Sequence, residues 1–208
     1  MEAGQSPLFI KVCGLRTEQD VDMAVEAGAD AIGFVFAESA RRVDPDTARR
    51  LALRVPERIM TVGVFRDQPL NEVRGLLDAT GVRAVQLHGG EDLAYYDALR
   101  PYGRTLIRGV SVRGDVPRLG ARGEDILLLD APVPGAGETW DRTGRQLPGP
   151  GEAWLLAGGL DPHNVADAVR SARPWGVDVS SGIEISRGVK SPGLIEAFIR
   201  AARGAVPQ

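Results

Sequence analysis

Cys13, in the stretch FIKVCGLR, is the only cysteine of the chain, and Asp130 closes the run DILLLD. A thiolate can remove a proton and a carboxyl group can deliver one, so the two types facing each other across a site suit a proton relocation. Each has a plainer reading as well. Cysteine often fills space in a core, and an aspartate after an apolar run is often a turn or cap residue. Two small-residue loops suggest a second chemistry: Gly158-Gly159 follows AWLLA, and Ser180-Ser181-Gly182 follows GVDV. Backbone N–H groups of such loops, aided by a helix start, can cradle phosphate. One such loop could be only a tight turn; two of them point to a phosphate. Arg41, in AESARRVDP, offers a guanidinium fork for a carboxylate. His88, in QLHGGED, and Asp178, in GVDVSS, are candidates for orienting a substrate, and His163 reads as a surface residue. No His, Cys or carboxylate stands at ligand spacing to His88, so no metal site is expected.

These residues gain meaning from the segments that carry them. Eight short apolar runs recur: LFIKV, AIGFVF, IMTVGVF, RAVQLH, RTLIRGV, DILLLD, AWLLAG and GVDVSS. Each has the length of a strand buried on both faces, and they return at intervals of roughly one strand plus one helix. Helix starts follow most of them. Thr17 precedes EQDVDMAVEAG, and Asp44-Pro45, Asp161-Pro162 and Ser191-Pro192 each set a cap before a proline. Helices are expected to open near residues 17, 45, 69, 91, 161 and 192. The fifth and sixth units, with scattered glycines and prolines, are expected to have short or missing helices. Eight such units either close into a barrel or lie open as a doubly wound sheet. The 208 residues sit near the lower end for a (β/α)8 barrel and leave little room beside it. No GxGxxG follows the first run. The expectation is therefore an α/β fold, a single (β/α)8 TIM barrel over residues 1–208, in which every candidate residue crowds around the mouth at the C-terminal ends of the strands.

Composition narrows the partners. The chain is 43% hydrophobic and 25% charged, with a formal net charge of −3 and no block of basic residues, which argues against a nucleic-acid partner. A small phosphosugar is the expected ligand. The start MEAGQSPLF lacks the features of a signal peptide, and no apolar run is long enough to span a membrane, so a cytoplasmic protein is expected. One cysteine forms no internal disulfide. Lysine occurs only at Lys11 and Lys190, so 23 of the 25 basic residues are arginine. Nothing in the sequence chooses between a monomer and a homodimer.

Taken in order, KVCGLR, GFVFAESARRV, VGVF, VQLHGGED, LLLDAPVPGAGETWD, LAGGLDPHNV and GVDVSSGIEISRGVKSP resemble the phosphoribosylanthranilate isomerases of tryptophan biosynthesis, from about Lys11 to Phe198. The resemblance implies a (β/α)8 barrel and an Amadori rearrangement of N-(5-phosphoribosyl)anthranilate to 1-(2-carboxyphenylamino)-1-deoxyribulose 5-phosphate, with no cofactor. It also implies Cys13 as general base, Asp130 as general acid and Arg41 as the holder of the anthranilate carboxylate. Lys11, two residues before Cys13 and on the same side of the strand, is expected to stabilise the thiolate. After the sixth run the chain departs from the family, with Glu138 where lysine is common and Arg142 where tryptophan is common, and residues 142–152 read as a surface excursion or a lid. Two other functions fit parts of this pattern. One is a phosphate-binding module without turnover; the other is an isomerase of the related histidine-pathway aminoaldose, which would pair two strand-end aspartates.

Overall fold

The computed structural model describes residues 7–112, 115–130, 147–149 and 151–205. Strands β1 (Phe9–Cys13), β2 (Ala31–Val35), β3 (Met60–Phe65), β4 (Ala84–Leu87), β5 (Thr105–Ser111), β6 (Ile126–Asp130), β7 (Trp154–Ala157) and β8 (Gly176–Val179) pair in parallel, each with the next. β8 returns to β1, with Lys11 opposite Asp178, and this pairing closes the barrel. Around it lie α1 (Glu18–Glu26), α2 (Pro45–Ala52), α3 (Leu70–Thr80), α4 (Leu93–Leu99), α5 (Val165–Ala172) and α6 (Pro192–Arg203). Among the described residues no α-helix lies between β5 and β6 or between β6 and β7, as the glycine-rich and proline-rich fifth and sixth units predict. Glu138, Arg142 and most of the 142–152 stretch lie outside the described residues.

Alternation along the strands builds two cores. Residues such as Ile10, Val12, Ile32, Phe34 and Val177 pack outward beneath the helices. Ala31, Val62, Val64, Ala84, Ile107, Ile126, Leu128, Leu155 and Ala157 fill the barrel interior, and Cys13 belongs to this inner set. To this inner set β2 and β4 contribute the small side chains of Ala31 and Ala84. Gly33 goes further at the site: a Cβ there would lie 2.9 Å from the Cys13 Sγ, so β2 has no side chain where β1 places its thiol.

Helix starts follow the sequence signals with one exception. Thr17 accepts from the Asp20 N–H, Asp44 from Thr47, Asp92 from Tyr95 and Ser191 from Leu194, each satisfying an otherwise unpaired first-turn donor. Asp161-Pro162, by contrast, does not open a helix. Asp161 Oδ1 accepts from the backbone of His163 (2.7 Å) and Asn164 (3.0 Å), while the Asn164 side chain accepts from Asp161 N (2.9 Å) and donates to Gly159 O (2.8 Å). These bonds hold a turn, and α5 starts only at Val165. His163 is exposed in that turn, ahead of the helix rather than within it. β5 also runs on past Arg108 to Ser111, because it pairs with β6 as far as Asp130.

One further element joins the mouth. β9 (Glu184–Ser186) and β10 (Val189–Lys190) form a two-stranded antiparallel hairpin between β8 and α6, where the sequence suggests only a loop.

Candidate active site

Inward alternation carries Lys11 and Cys13 on β1, Gln86 and His88 on and just after β4, Asp130 on β6 and Asp178 on β8 to one end of the barrel. Below the mouth is a polar layer. Lys11, with none of its surface exposed, donates to Asp178 Oδ1 at 2.7 Å across the β8–β1 seam. A buried pair of this kind is held only by close geometry, since both charges have left water.

Cys13 sits above Lys11 with 6% of its surface exposed. Burial raises its pKa, and the Asp178 carboxylate adds to that; Lys11 and Lys190 pull it down, but burial prevails. The expectation that Lys11 stabilises the thiolate therefore has the right sign and is outweighed. Burial also works to lower the Lys11 pKa, but the charges of Asp178 and Cys13 more than offset it, so Lys11 stays an ammonium. Asp130 is pushed up, first by burial and then by Asp178, against the opposing pull of His88. That shift favours a protonated carboxyl group, the state a general acid needs.

His88 stands beside Asp130, with Nε2 3.8 Å from Oδ2. Burial lowers its pKa more than Asp130 raises it, so the ring is neutral at pH 7. With Gln86 Nε2 as donor, His88 Nδ1 accepts at 3.3 Å and the ring carries its proton on Nε2, toward Asp130. On its other side His88 lines a cavity of about 300 Å³ whose wall includes Arg66, Arg108, Ser111 and Arg122, three cations that the sequence pattern did not single out.

The two small-residue loops meet. Gly158 and Gly159 have φ of +90° and +61°, and the turn from Ser181 to Ile183 packs so tightly against the residue that follows them that a Cβ on Gly182 would lie 1.9 Å from Leu160 O. Only glycine permits that approach. Ser180 Oγ donates to Cys13 O at 3.2 Å, which ties the second loop to the end of β1.

Arg41 is placed at the mouth, but its fork already holds a carboxylate of this chain. Nε and Nη2 donate to Glu184 Oε1 and Oε2 at 2.6 and 2.9 Å. Glu184, at the start of the hairpin, also accepts from Lys190 Nζ (2.8 Å) and Gly188 N (3.1 Å). Burial works to raise its pKa, and the hydrogen bonds from Arg41, Lys190 and Gly188 override this and bring it down to about 2. Lys190 then reaches back to Ser180, 2.8 Å from its carbonyl and 3.3 Å from its hydroxyl. Sequence reasoning passed over Glu184 and Lys190. For Lys190 a signal was there: in a chain that uses arginine almost everywhere, it is one of only two lysines.

The mouth thus brings together Cys13, Arg41, His88, Asp130, Gly158, Gly159, Ser180, Ser181 and Gly182, with Asp178 in the layer beneath it. An acid and a base on separate strands, beside amide-rich loops and a guanidinium, can bind an anionic sugar and shift a proton along it. Among the described residues no three His, Cys, Asp or Glu side chains converge as a metal site would require, and no helix is long and apolar enough to cross a membrane.

A family model described as N-(5'phosphoribosyl)anthranilate (PRA) isomerase matches residues 10–201. The chain is 42% identical over 223 residues to the N-(5'-phosphoribosyl)anthranilate isomerase of Symbiobacterium thermophilum, covering 95% of this chain and 99% of that protein. It superposes on TrpF from Jonesia denitrificans with a TM-score of 0.85 at 42% identity, over 95% and 98% of the two chains. It also matches a phosphoribosyl anthranilate isomerase solved in complex with reduced 1-(o-carboxyphenylamino)-1-deoxyribulose 5-phosphate, with a TM-score of 0.78 at 31% identity, over 95% and 99%.

Proposed function

The chain belongs to the N-(5'-phosphoribosyl)anthranilate isomerase family of tryptophan biosynthesis, and we propose that it performs the family's reaction as an Amadori rearrangement with Asp130 as general acid and Cys13 as general base. The observation that carries this assignment is the placement of both groups at inward strand ends of one mouth, with Asp178 acting electrostatically on each. The complex of the relative with a reduced phosphosugar bearing a carboxyphenyl group supports a ligand with an anion at each end. In this reading the phosphate lies on the amides of Gly158, Gly159, Ser181 and Gly182 with the Ser180 hydroxyl beside it, and Arg41 meets the aromatic carboxylate.

The steps follow from the residue types. Asp130 gives its proton to the ribose ring oxygen, the C1′–O bond breaks, and the nitrogen lone pair forms a protonated imine. The positive nitrogen acidifies C2′–H, and the Cys13 thiolate takes that proton. Its bonding electrons form the C1′–C2′ double bond of an enolamine, which becomes the ketone as the O2′ proton passes to C1′. Asp130 is left as carboxylate and Cys13 as thiol, and one proton moved between them through solvent restores the starting state. His88 and Asp178 hold the sugar and the charge balance beside these groups.

Anthranilate-type fluorescence of freshly made phosphoribosylanthranilate decays as the substrate is consumed, which gives a direct assay. Wild type is expected to accelerate that decay, and Cys13→Ala and Asp130→Asn, at equal folded concentration, to lose a factor of about 10² or more each. Full activity in either variant would remove that residue from the mechanism. A wild type that binds the reduced product analogue without turning over substrate would turn the reading toward a binding module.

A further inference from the structure

Arg41 is the group proposed for the substrate carboxylate, yet two of its five N–H donors are committed to Glu184. The arrangement is unusual for a mere surface pair. The Glu184 side chain is 5% exposed, and its partner Lys190 is 1% exposed. Both its oxygens are used, Oε1 by Arg41 and Lys190 and Oε2 by Arg41 and Gly188. The hairpin that carries Glu184 is itself fastened at the rim, where Arg16 Nη2 donates to Gly188 O at 2.6 Å. A bidentate pair fixes a guanidinium in plane and in direction. The Nε edge of Arg41 is therefore locked against the hairpin and its Nη1 edge is left for a ligand. Two cations share one carboxylate here, so the cluster keeps a surplus positive charge where an anion would arrive.

We propose that Glu184 is a positioning residue for the reaction: it aims the free edge of Arg41 at the carboxylate end of the substrate and so determines recognition of that carboxylate. Lys190 serves as the anchor that keeps Glu184 charged and in place. Glu184 need not touch the substrate; it acts through Arg41. This rests on the reading of the mouth as a phosphoribosylanthranilate isomerase site, and it extends that reading to a residue the reaction chemistry does not itself require.

The test compares two ligands in wild type, Glu184→Gln, Arg41→Ala and the double variant: the reduced product analogue, and its counterpart lacking the ring carboxylate. A misdirected charged hydrogen bond is expected to weaken the first ligand about tenfold in Glu184→Gln, with the second changed less than about threefold, and with KM for substrate rising more than kcat falls. In an Arg41→Ala background the Glu184→Gln effect should vanish, because the two act as one unit. Equal weakening of both ligands, or a full Glu184→Gln penalty without Arg41, would overturn the proposal. Should Glu184→Gln fail to fold, Glu184→Asp keeps the charge on a shorter arm and should show the same split between ligands. A wild type that binds neither ligand would instead count against the site assignment itself.

Discussion

Burial raises the pKa of Cys13 and of Asp130 alike, and that single cause helps an acid while it hinders a base. Burial thus favours the protonated form of both groups, whereas the productive pair is a protonated Asp130 beside a Cys13 thiolate. Activity should then depend on the gap between the two pKa values, which makes Lys11 a lever on the rate. Its charge lowers the Cys13 pKa, so Lys11→Ala should push that pKa further up. Because the chain has one cysteine, the pH dependence of alkylation by iodoacetamide reports this group alone. The expected profile for wild type is slow alkylation that rises only above the ordinary thiol range, shifted to higher pH in Lys11→Ala. An unchanged profile would mean that Lys11 acts on Asp178 only.

Elements matter here through the loops they bring into contact. The turn after β8 and the loop after β7 touch at Gly182 and Leu160, and a methyl group between them has no room. Gly182→Ala should separate the loops, raise KM and weaken inhibition by inorganic phosphate, each by about tenfold if the shift costs near 1.4 kcal/mol of phosphate binding. Steady-state assays with phosphate as competitor measure both, and kcat should change less. At this scale the sequence was readable wherever the signal was local. The eight apolar runs mark the strands, and Thr17, Asp44 and Ser191 mark the caps. It misled where one side chain had two uses: Asp161 looks like a helix cap but spends its oxygen on a turn with Asn164. The hairpin was illegible because β9 and β10 are too short to show alternation. Arg41 was legible as a carboxylate binder, whereas its partner Glu184 lies 143 residues away, and no local spacing announces such a pair.

At the scale of the whole molecule, the barrel closes where its first and last strands meet. β1 joins β8, and Arg203 at the end of α6 donates to Leu8 O, Gly28 O and Asp30 Oδ2, holding the last helix on the first strand. Near the opposite rim the Glu184 cluster spans the loop after β2 and the hairpin after β8. Its pKa of about 2, below the ordinary glutamate value of 4.5, ties this clasp to pH. Glu184 contributes stability above the unfolded value, and that contribution is lost as pH falls through the folded one. Urea midpoints should therefore drop between about pH 4.5 and 2, and the drop should be shallower in Glu184→Gln, which is neutral throughout. An identical slope in both proteins would show that other carboxylates govern acid unfolding. The placement of the lysines has a consequence of another kind. Both amines are sealed inside, and no other side chain of the sequence carries one. An amine-reactive reagent therefore finds no side-chain target on the folded protein and two on the unfolded chain. The rate at which those two adducts accumulate, read by mass spectrometry under native conditions, is a clock for the spontaneous opening of the barrel.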